Sequence, residues 1–117
     1  MVDFIGVYDK VVPPDMCKEI IDFFEENKDL QFRGRTSFSG NVIVEPKVKD
    51  SKDITLSFID GTVPSTILTR ILTSYTPLYI DTFRSTDLID EFSVEMGYNL
   101  QRYNPGQGYH FLHCENY

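Results

Sequence analysis

Two stretches of this sequence repeat their apolar residues three or four positions apart, and this spacing limits most strongly what the chain can fold into. Such a repeat predicts an amphipathic helix that buries one face. The first helix is expected at roughly residues 14–28, because Pro14 is tolerated in a first helical turn. The second is expected to begin near Pro64 or Ser65, and Pro77 should interrupt or kink it. The apolar positions are Cys17, Ile20, Ile21 and Phe24 in the first stretch, and Ile67, Leu68, Ile71, Leu72 and Tyr75 in the second.

Short strand patterns lie before, between and after the two helices. Strands are predicted at residues 2–8, 42–44 and 53–59, and a strand, a turn and a further strand over Phe92–Tyr117. Residues 32–40 show no sustained period and are expected to form a loop, and Glu45–Asp53 is expected to be a charged connector. Helices and strands therefore do not alternate regularly, and the chain ends in a hairpin-like pair. This order favours an α+β fold over repeated βαβ units.

The charge and length of the chain limit its partners and its domain count. Its 18 acidic residues exceed its 11 basic ones and give a net charge of −7, so attraction to nucleic acid or to an anionic membrane is not expected. No run approaches the roughly 18 apolar residues of a membrane span, and the N-terminal Met1-Val2-Asp3 is unlike a secretory signal. At 117 residues the chain has room for one folding unit. We therefore expect a single cytoplasmic domain in which Cys17 and Cys114 are buried thiols.

The chemically richest segment is Tyr109–Asn116, which contains both histidines of the chain. Strand side chains two residues apart share a face, so His113 and Glu115 should point to one side, with Cys114 on the other. One imidazole and one carboxylate at this spacing supply two thirds of the facial set that binds non-haem Fe(II) and leaves coordination positions open. His110 should point to the opposite face, and it completes the set only if the strand contains a bulge. A hydrogen-bonded surface pair is the alternative explanation of the same spacing.

The residues around this pair resemble a known family. Asn99–Asn116 is similar to the segment that carries the first two iron ligands in 2-oxoglutarate and Fe(II)-dependent oxygenases of the prolyl 4-hydroxylase-like group. In that group a strand ending in Arg-Tyr is followed by a Pro-Gly turn, an aromatic residue and then His-x-Asp or His-x-Glu. Val7–Phe24 resembles the opening strand and the cysteine-containing helix of the same group, and Lys49–Ile54 resembles its central loop and strand. The resemblance touches the whole chain, with its specific motifs in residues 97–116.

This resemblance implies a fold and a site. The fold would be N-terminal helices packed on a partial double-stranded β-helix, or jelly roll, of which this chain holds the N-terminal part as a single domain. His113 and Glu115 would be the first two iron ligands, and Tyr103 would line the 2-oxoglutarate pocket. Arg102 is expected to point outward, away from the site. The implied cofactors are Fe(II) and 2-oxoglutarate, with ascorbate as a further candidate.

The activity implied is that of a dioxygenase, which hydroxylates its substrate while 2-oxoglutarate is converted to succinate and carbon dioxide. A peptidyl prolyl residue is the first substrate expected, and the group also modifies other residues and small molecules. The family needs a second histidine and a later Arg or Lys, so the gene is expected to continue past Tyr117 and the 117-residue chain alone to be inactive. The alternative from another class is a non-catalytic binding or assembly module with an oxygenase-like fold. A different metal at His110, His113 and Cys114 is disfavoured, because strand alternation separates these residues.

Overall fold

The structure, a computed structural model, describes residues 3–88 and 94–113. It contains two α-helices and small antiparallel sheets, which confirms the α+β class predicted from the sequence. The described residues form two compact units. The first unit takes those within 3–26 and 56–98, and the second takes those within 27–55 and 99–113. In the described ranges no helix is long and apolar enough to cross a membrane.

Helix α1 spans Pro14–Glu26 and belongs to the first unit. The helix predicted at residues 14–28 is therefore confirmed, with its end two residues earlier. Phe24 is buried in the first unit, where α1 contacts the second helix. The rest of the predicted apolar face is less covered, since Ile21 is 59% exposed and Cys17 is also exposed. The expectation of a buried thiol at Cys17 is thus wrong, because α1 packs mainly through its Phe24 side.

Helix α2 spans Val63–Thr82, also in the first unit, and Pro64 lies in its first turn as predicted. Pro77 does not interrupt the helix, which continues for five residues beyond it, and the kink expected as the alternative stays a prediction. A proline inside a helix removes one backbone hydrogen bond. Packing just after Pro77 helps to offset this loss, since the Tyr79 hydroxyl donates to the Phe4 carbonyl at 2.7 Å.

The strand predicted at residues 2–8 is wrong over its described part, which contains no strand. Phe4 has a φ of 54°, in the left-handed region, and this interrupts an extended chain. Its ring centre lies 5.7 Å from that of Phe83, and the ring centre of Tyr8 lies 5.3 Å from that of Tyr75. The aromatic residues of this segment therefore pack on α2 and on the residue that follows it.

Five short strands are present in the described residues. They are β1 (Phe32–Arg33), β2 (Thr36–Phe38), β3 (Asn41–Ile43), β4 (Lys52–Ser57) and β5 (Gly97–Arg102). β1, β4 and β5 form one sheet with β4 in the middle, and β2 pairs with β3 in a second, antiparallel sheet. The strands predicted at 42–44 and 53–59 are confirmed as β3 and β4 with shifted ends. The loop predicted at 32–40 is wrong, because β1 and β2 form there by pairing with later strands, which no local pattern reports.

The last described segment pairs differently from the prediction. The expected hairpin does not form within the described residues, because β5 lies beside β4 and Tyr109 forms a β-bridge with Lys49. The rest of the predicted last strand, residues 114–117, lies outside the described residues. Two hydrogen bonds flank this bridge, from the Asp50 N–H to the Gly108 carbonyl at 2.9 Å and from the His110 N–H to the Val48 carbonyl at 2.8 Å. The predicted turn at Pro105-Gly106 is present, with Gly106 at a φ of 85°. It leads the chain to the connector before β4 instead of back along β5.

Candidate functional site

His113, the first predicted metal ligand, is exposed, and a ring stack and a hydrogen bond are among the contacts that orient it. Its imidazole stacks on the ring of Tyr109, with ring centres 3.7 Å apart and 15° between the planes. Its Nδ1 lies 3.1 Å from the carbonyl oxygen of Phe111. A carbonyl only accepts hydrogen bonds, so in the neutral imidazole Nδ1 carries the proton and Nε2 carries the lone pair. Metal-ligating histidines usually have this arrangement, in which the second ring nitrogen donates to a carbonyl or carboxylate.

The chain bends at Phe111, so the extended segment predicted from Tyr109 onward is not continuous. In a strand, residues four apart are separated by roughly 13 Å, whereas the rings of Tyr109 and His113 are in contact. The bend therefore creates the stacked pair. Cys114 and Glu115 lie outside the described residues, so the shared face of His113 and Glu115 stays a prediction.

Tyr103 and Arg102 lie on opposite sides at the end of β5. Tyr103 is 38% exposed, and its hydroxyl donates to Gln101 Oε1 at 3.1 Å, which places both side chains on the exposed side. Arg102 is half-buried and shares the covered side with Leu100. The expectation that Arg102 points outward is thus wrong, because alternation holds along β5 but its covered face is the one that contains Arg102. The phenol of Tyr103 is accessible, as a residue that contacts a ligand must be.

A buried cluster of polar side chains lies where the chain enters β4. The Nζ of Lys49 is 2.7 Å from Oδ2 of Asp53, and the Ser51 hydroxyl donates to Oδ1 of Asp53 at 2.6 Å. The side chains of Lys49 and Asp53 are only 6% and 2% exposed. The connector predicted over Glu45–Asp53 is charged as expected, but at these positions its charges are buried, because opposite charges and a hydroxyl satisfy one another inside the second unit. The signal missed in the sequence is the alternation Lys49-x-Ser51-x-Asp53, which leads directly into a buried strand.

Gly34 allows the backbone to lie directly against this cluster. Its N–H donates to the Ser51 carbonyl at 2.9 Å. A Cβ at this position would lie 2.1 Å from the Ser51 hydroxyl oxygen and 3.1 Å from Cε of Lys49. Only glycine fits so close an approach, so Gly34, one of the two residues between β1 and β2, lies directly against the cluster.

Tyr109 joins the buried cluster to His113. Its backbone forms the bridge with Lys49, and its hydroxyl lies 2.8 Å from Oγ1 of Thr36. Its ring carries the stacked imidazole of His113. Sequence analysis gives Tyr109 no role beyond the aromatic position of the motif, because the contact with Thr36 joins residues far apart in the chain.

The first unit holds a separate polar cluster at the start of α2. Ser65 is fully buried, and its hydroxyl donates to the Ser57 carbonyl at 2.8 Å. The same oxygen accepts hydrogen bonds from the hydroxyls of Thr62 and Tyr98, at 3.0 and 2.7 Å. Desolvation, together with the nearby charge of Asp60, raises the pKa of the Tyr98 phenol, which is therefore protonated at neutral pH. These hydroxyls bond to one another and to the backbone, so the cluster joins α2 to the neighbouring strands and is structural.

The donor types near His113 fit part of a metal centre. Within residues 3–88 and 94–113, no three His, Cys, Asp or Glu side chains are close enough to hold one metal ion. His113 fits one coordination position by its tautomer, and Glu115 adds a carboxylate two residues later. The other histidine, His110, has an exposed side chain, and its N–H takes part in the pairing with Val48.

Comparison of the chain with protein-family models, with curated proteins and with solved structures finds no match in any of the three. A functional assignment therefore depends on the contacts described above and on the resemblance of Asn99–Asn116 to a known motif.

Proposed function

We propose that this protein is a 2-oxoglutarate- and Fe(II)-dependent dioxygenase that hydroxylates a peptidyl substrate, with a prolyl residue as the first candidate, or a related small molecule. The observation that carries the proposal is the hydrogen bond between Nδ1 of His113 and the Phe111 carbonyl. It leaves the lone pair on Nε2 of the imidazole that the resemblance marks as the first iron ligand. A fixed tautomer on an exposed imidazole has a direct use in metal binding.

Three residues of this chain have roles in the proposal. His113 and Glu115 bind Fe(II) as one nitrogen and one carboxylate ligand of a facial set. Fe(II) held there would activate oxygen, which is the oxidant: with 2-oxoglutarate as co-reductant it would hydroxylate an unactivated C–H bond, with release of succinate and carbon dioxide. Tyr103 binds 2-oxoglutarate, since its exposed hydroxyl can exchange the hydrogen bond to Gln101 for one to a carboxylate. The remaining protein ligand and the basic anchor of 2-oxoglutarate are not assigned to residues of this chain.

The finer fold in this proposal is a partial jelly roll. The two six-residue strands, β4 and β5, lie side by side and support it. The Thr55 hydroxyl donates to Asn99 Oδ1 at 2.6 Å, and the Phe58 N–H donates to the Met96 carbonyl at 3.0 Å. Residue numbers rise on one strand as they fall on the other, so the pair is antiparallel. Antiparallel strands of this kind build both sheets of a jelly roll.

The test uses the product of the whole open reading frame that contains this sequence. Succinate release from 2-oxoglutarate is measured with ascorbate, and with and without added Fe(II). We expect turnover only with Fe(II), and we expect His113→Ala or Glu115→Ala to abolish it, because each removes a metal ligand outright. His110→Ala is the matched control, since it removes the other histidine of the chain and should leave turnover largely intact. Cys114→Ser should also leave it largely intact.

Three outcomes would contradict the proposal or its ligand assignment. If the wild type is inert with every substrate class tried and binds no iron, the protein is a non-catalytic binding or assembly module. If Cys114→Ser is as damaging as His113→Ala, the metal lies on the other face of this segment. If His110→Ala abolishes turnover and His113→Ala does not, the ligand is the other histidine.

A further inference from the structure

We propose that Tyr109 is a positioning residue for His113, and that it sets the plane of the imidazole and thus the direction in which Nε2 meets a metal. The inference rests on the proposed function, because it gives a purpose to the orientation of a proposed ligand. A continuous series of contacts in the second unit runs from the buried Lys49–Asp53 pair through Tyr109 to His113.

The imidazole of His113 is oriented by its contacts within the second unit. An exposed histidine ring ordinarily turns about two side-chain bonds. Here one face of the His113 ring lies on Tyr109, at 3.7 Å between ring centres and 15° between planes, while Nδ1 is held 3.1 Å from the Phe111 carbonyl. The stack fixes the plane of the ring, and the hydrogen bond fixes its rotation within that plane. Both contacts thus contribute to the direction of the Nε2 lone pair.

Tyr109 is itself held in place, both at its backbone and at its hydroxyl group. Its hydroxyl lies 2.8 Å from Oγ1 of Thr36, a residue of β2. Its backbone forms the β-bridge with Lys49, which hydrogen bonds on either side reinforce. A side chain held at its backbone and at its far end has one position for its ring. The imidazole that stacks on this ring is therefore also restrained in its position.

A buried ion pair holds the backbone segment with which Tyr109 pairs. The bridge partner Lys49 has its ammonium group 2.7 Å from Asp53, and Ser51 donates to the same carboxylate at 2.6 Å. The Lys49 and Asp53 side chains are almost fully buried. Breaking such a pair leaves an uncompensated buried charge, so the backbone at Lys49 is held firmly. The exposed His113 therefore depends on a rigid and buried support for its orientation.

The first experiment measures the stack by NMR in the 117-residue protein. The chain has two histidines, so the ring protons give two sets of signals, and those of His113 should be shifted upfield by the ring current of Tyr109. Tyr109→Phe keeps an aromatic ring and should keep the shift, whereas Tyr109→Leu should abolish it. The signals of His110 are the internal control and should not move.

The second experiment uses Mn(II) alone as a probe, because its paramagnetism broadens nearby signals even when binding is weak. We expect Mn(II) to broaden the His113 ring signals of the wild type, and Tyr109→Leu to weaken its apparent affinity by about tenfold or more, as loss of a ligand's support does elsewhere. Leu112→Ala is the matched control, since this side chain is fully exposed beside His113, and it should leave the affinity unchanged.

A pair of conservative variants keeps the test decisive if Tyr109→Leu disturbs the local fold. Tyr109→Phe and Thr36→Val each remove the same hydrogen bond and retain the stacked ring. Each should weaken Mn(II) binding by a smaller factor than Tyr109→Leu. The double variant should be no weaker than either single one, because the two changes delete one interaction. Additive losses, or no loss in either variant, would contradict the anchoring role of Thr36.

The outcomes separate this inference from the proposed function. If Mn(II) binds His113 in the wild type and binds Tyr109→Leu equally well although the ring-current shift is lost, the positioning role is refuted and the metal site stands. If Mn(II) has no effect on His113 in the wild type, the positioning role is refuted, and the succinate assay on the product of the whole open reading frame decides the proposed function separately. Loss of the shift together with weaker binding supports the inference.

Discussion

The Asp60 carboxylate accepts two backbone hydrogen bonds at the turn between β4 and α2. The donors are the N–H groups of Ser57 and Thr62, each at 2.9 Å. Desolvation raises the pKa of Asp60, but these bonds, with the nearby hydroxyls of Thr62 and Ser65, outweigh it and lower the pKa from 3.8 to about 2. The ionised carboxylate is thus the form that the folded protein favours.

Because of this lowered pKa, part of the free energy of unfolding should be lost at acidic pH. Because the folded pKa of Asp60 lies below its ordinary value, its contribution is fully present above pH 3.8 and is lost as the pH falls from there to about 2. Urea unfolding at a series of pH values should show a shallower acid loss for Asp60→Asn than for the wild type. Asp9→Asn, which makes the same charge change at an exposed position, should follow the wild-type slope. Equal slopes for the wild type and Asp60→Asn would contradict the prediction.

Removing one charge of the buried Lys49–Asp53 pair should strongly reduce the stability of the protein. Lys49→Met should lower the free energy of unfolding by about 3–5 kcal/mol, because the carboxylate of Asp53 stays buried without its counter-charge. The control is Lys18→Met, which breaks a pair of the same four-residue spacing on the exposed face of α1. That change should be small, since water replaces the lost partner. Chemical denaturation of both variants measures the difference, and comparable losses would show that burial is not the cause.

At the level of elements, Ser65 joins α2 to the strands of the first unit. Ser65→Ala should lower the free energy of unfolding by about 1–3 kcal/mol, because the part-buried hydroxyls of Thr62 and Tyr98 lose their shared acceptor. Ser74, also in α2, is exposed, and its hydroxyl donates to the carbonyl of Arg70 in the preceding turn. Ser74→Ala should be neutral or slightly stabilising, since alanine is the better helix former. Thermal unfolding of the two variants tests the contrast, which disappears if the Ser65 network contributes nothing.

Elements with a strong local pattern are those that the sequence predicts well. α1, α2 and β4 have apolar repeats of ten residues or fewer around Phe24, Ile67 and Ile54, and these three side chains are buried. β1 has only two residues and exists because Phe32 pairs with Asp53, so its own residues carry no signal. The N-terminal segment has a strand-like pattern but lies on α2, since aromatic packing outweighs the alternation.

In the candidate site, too, only the features that depend on neighbouring residues can be predicted from the sequence. The motif marks His113 and Tyr103 as candidate site residues, because it depends only on residue types and their spacing within one short segment. The stack of Tyr109 on His113 requires the bend at Phe111, and the bond to Thr36 joins residues 73 positions apart. Contacts of that range depend on the whole fold. The support of His113 therefore lies beyond sequence analysis, whereas the metal chemistry of the site stays a prediction from the motif.

At the level of the whole molecule, repulsion among like charges opposes folding. The chain carries 18 acidic and 11 basic residues, for a net charge of −7. Such self-repulsion destabilises a compact state and is screened by salt. The ion pairs Lys18–Asp22 and Arg84–Asp81, which salt would also weaken, are exposed, and exposed pairs contribute little. Repulsion should therefore dominate the response of the protein to salt.

The melting temperature at pH 7 should rise when NaCl is increased from about 10 mM to about 300 mM, a change that shortens the screening length from roughly 30 Å to below 10 Å. The control is the same titration near pH 4.6, where the sequence carries almost no net charge and the rise should disappear. Differential scanning calorimetry measures both series. A melting temperature that falls with salt at pH 7 would mean that attractive ion pairs outweigh the repulsion. An equal rise at both pH values would assign the effect to salting-out of apolar surface, because only that contribution is independent of the net charge.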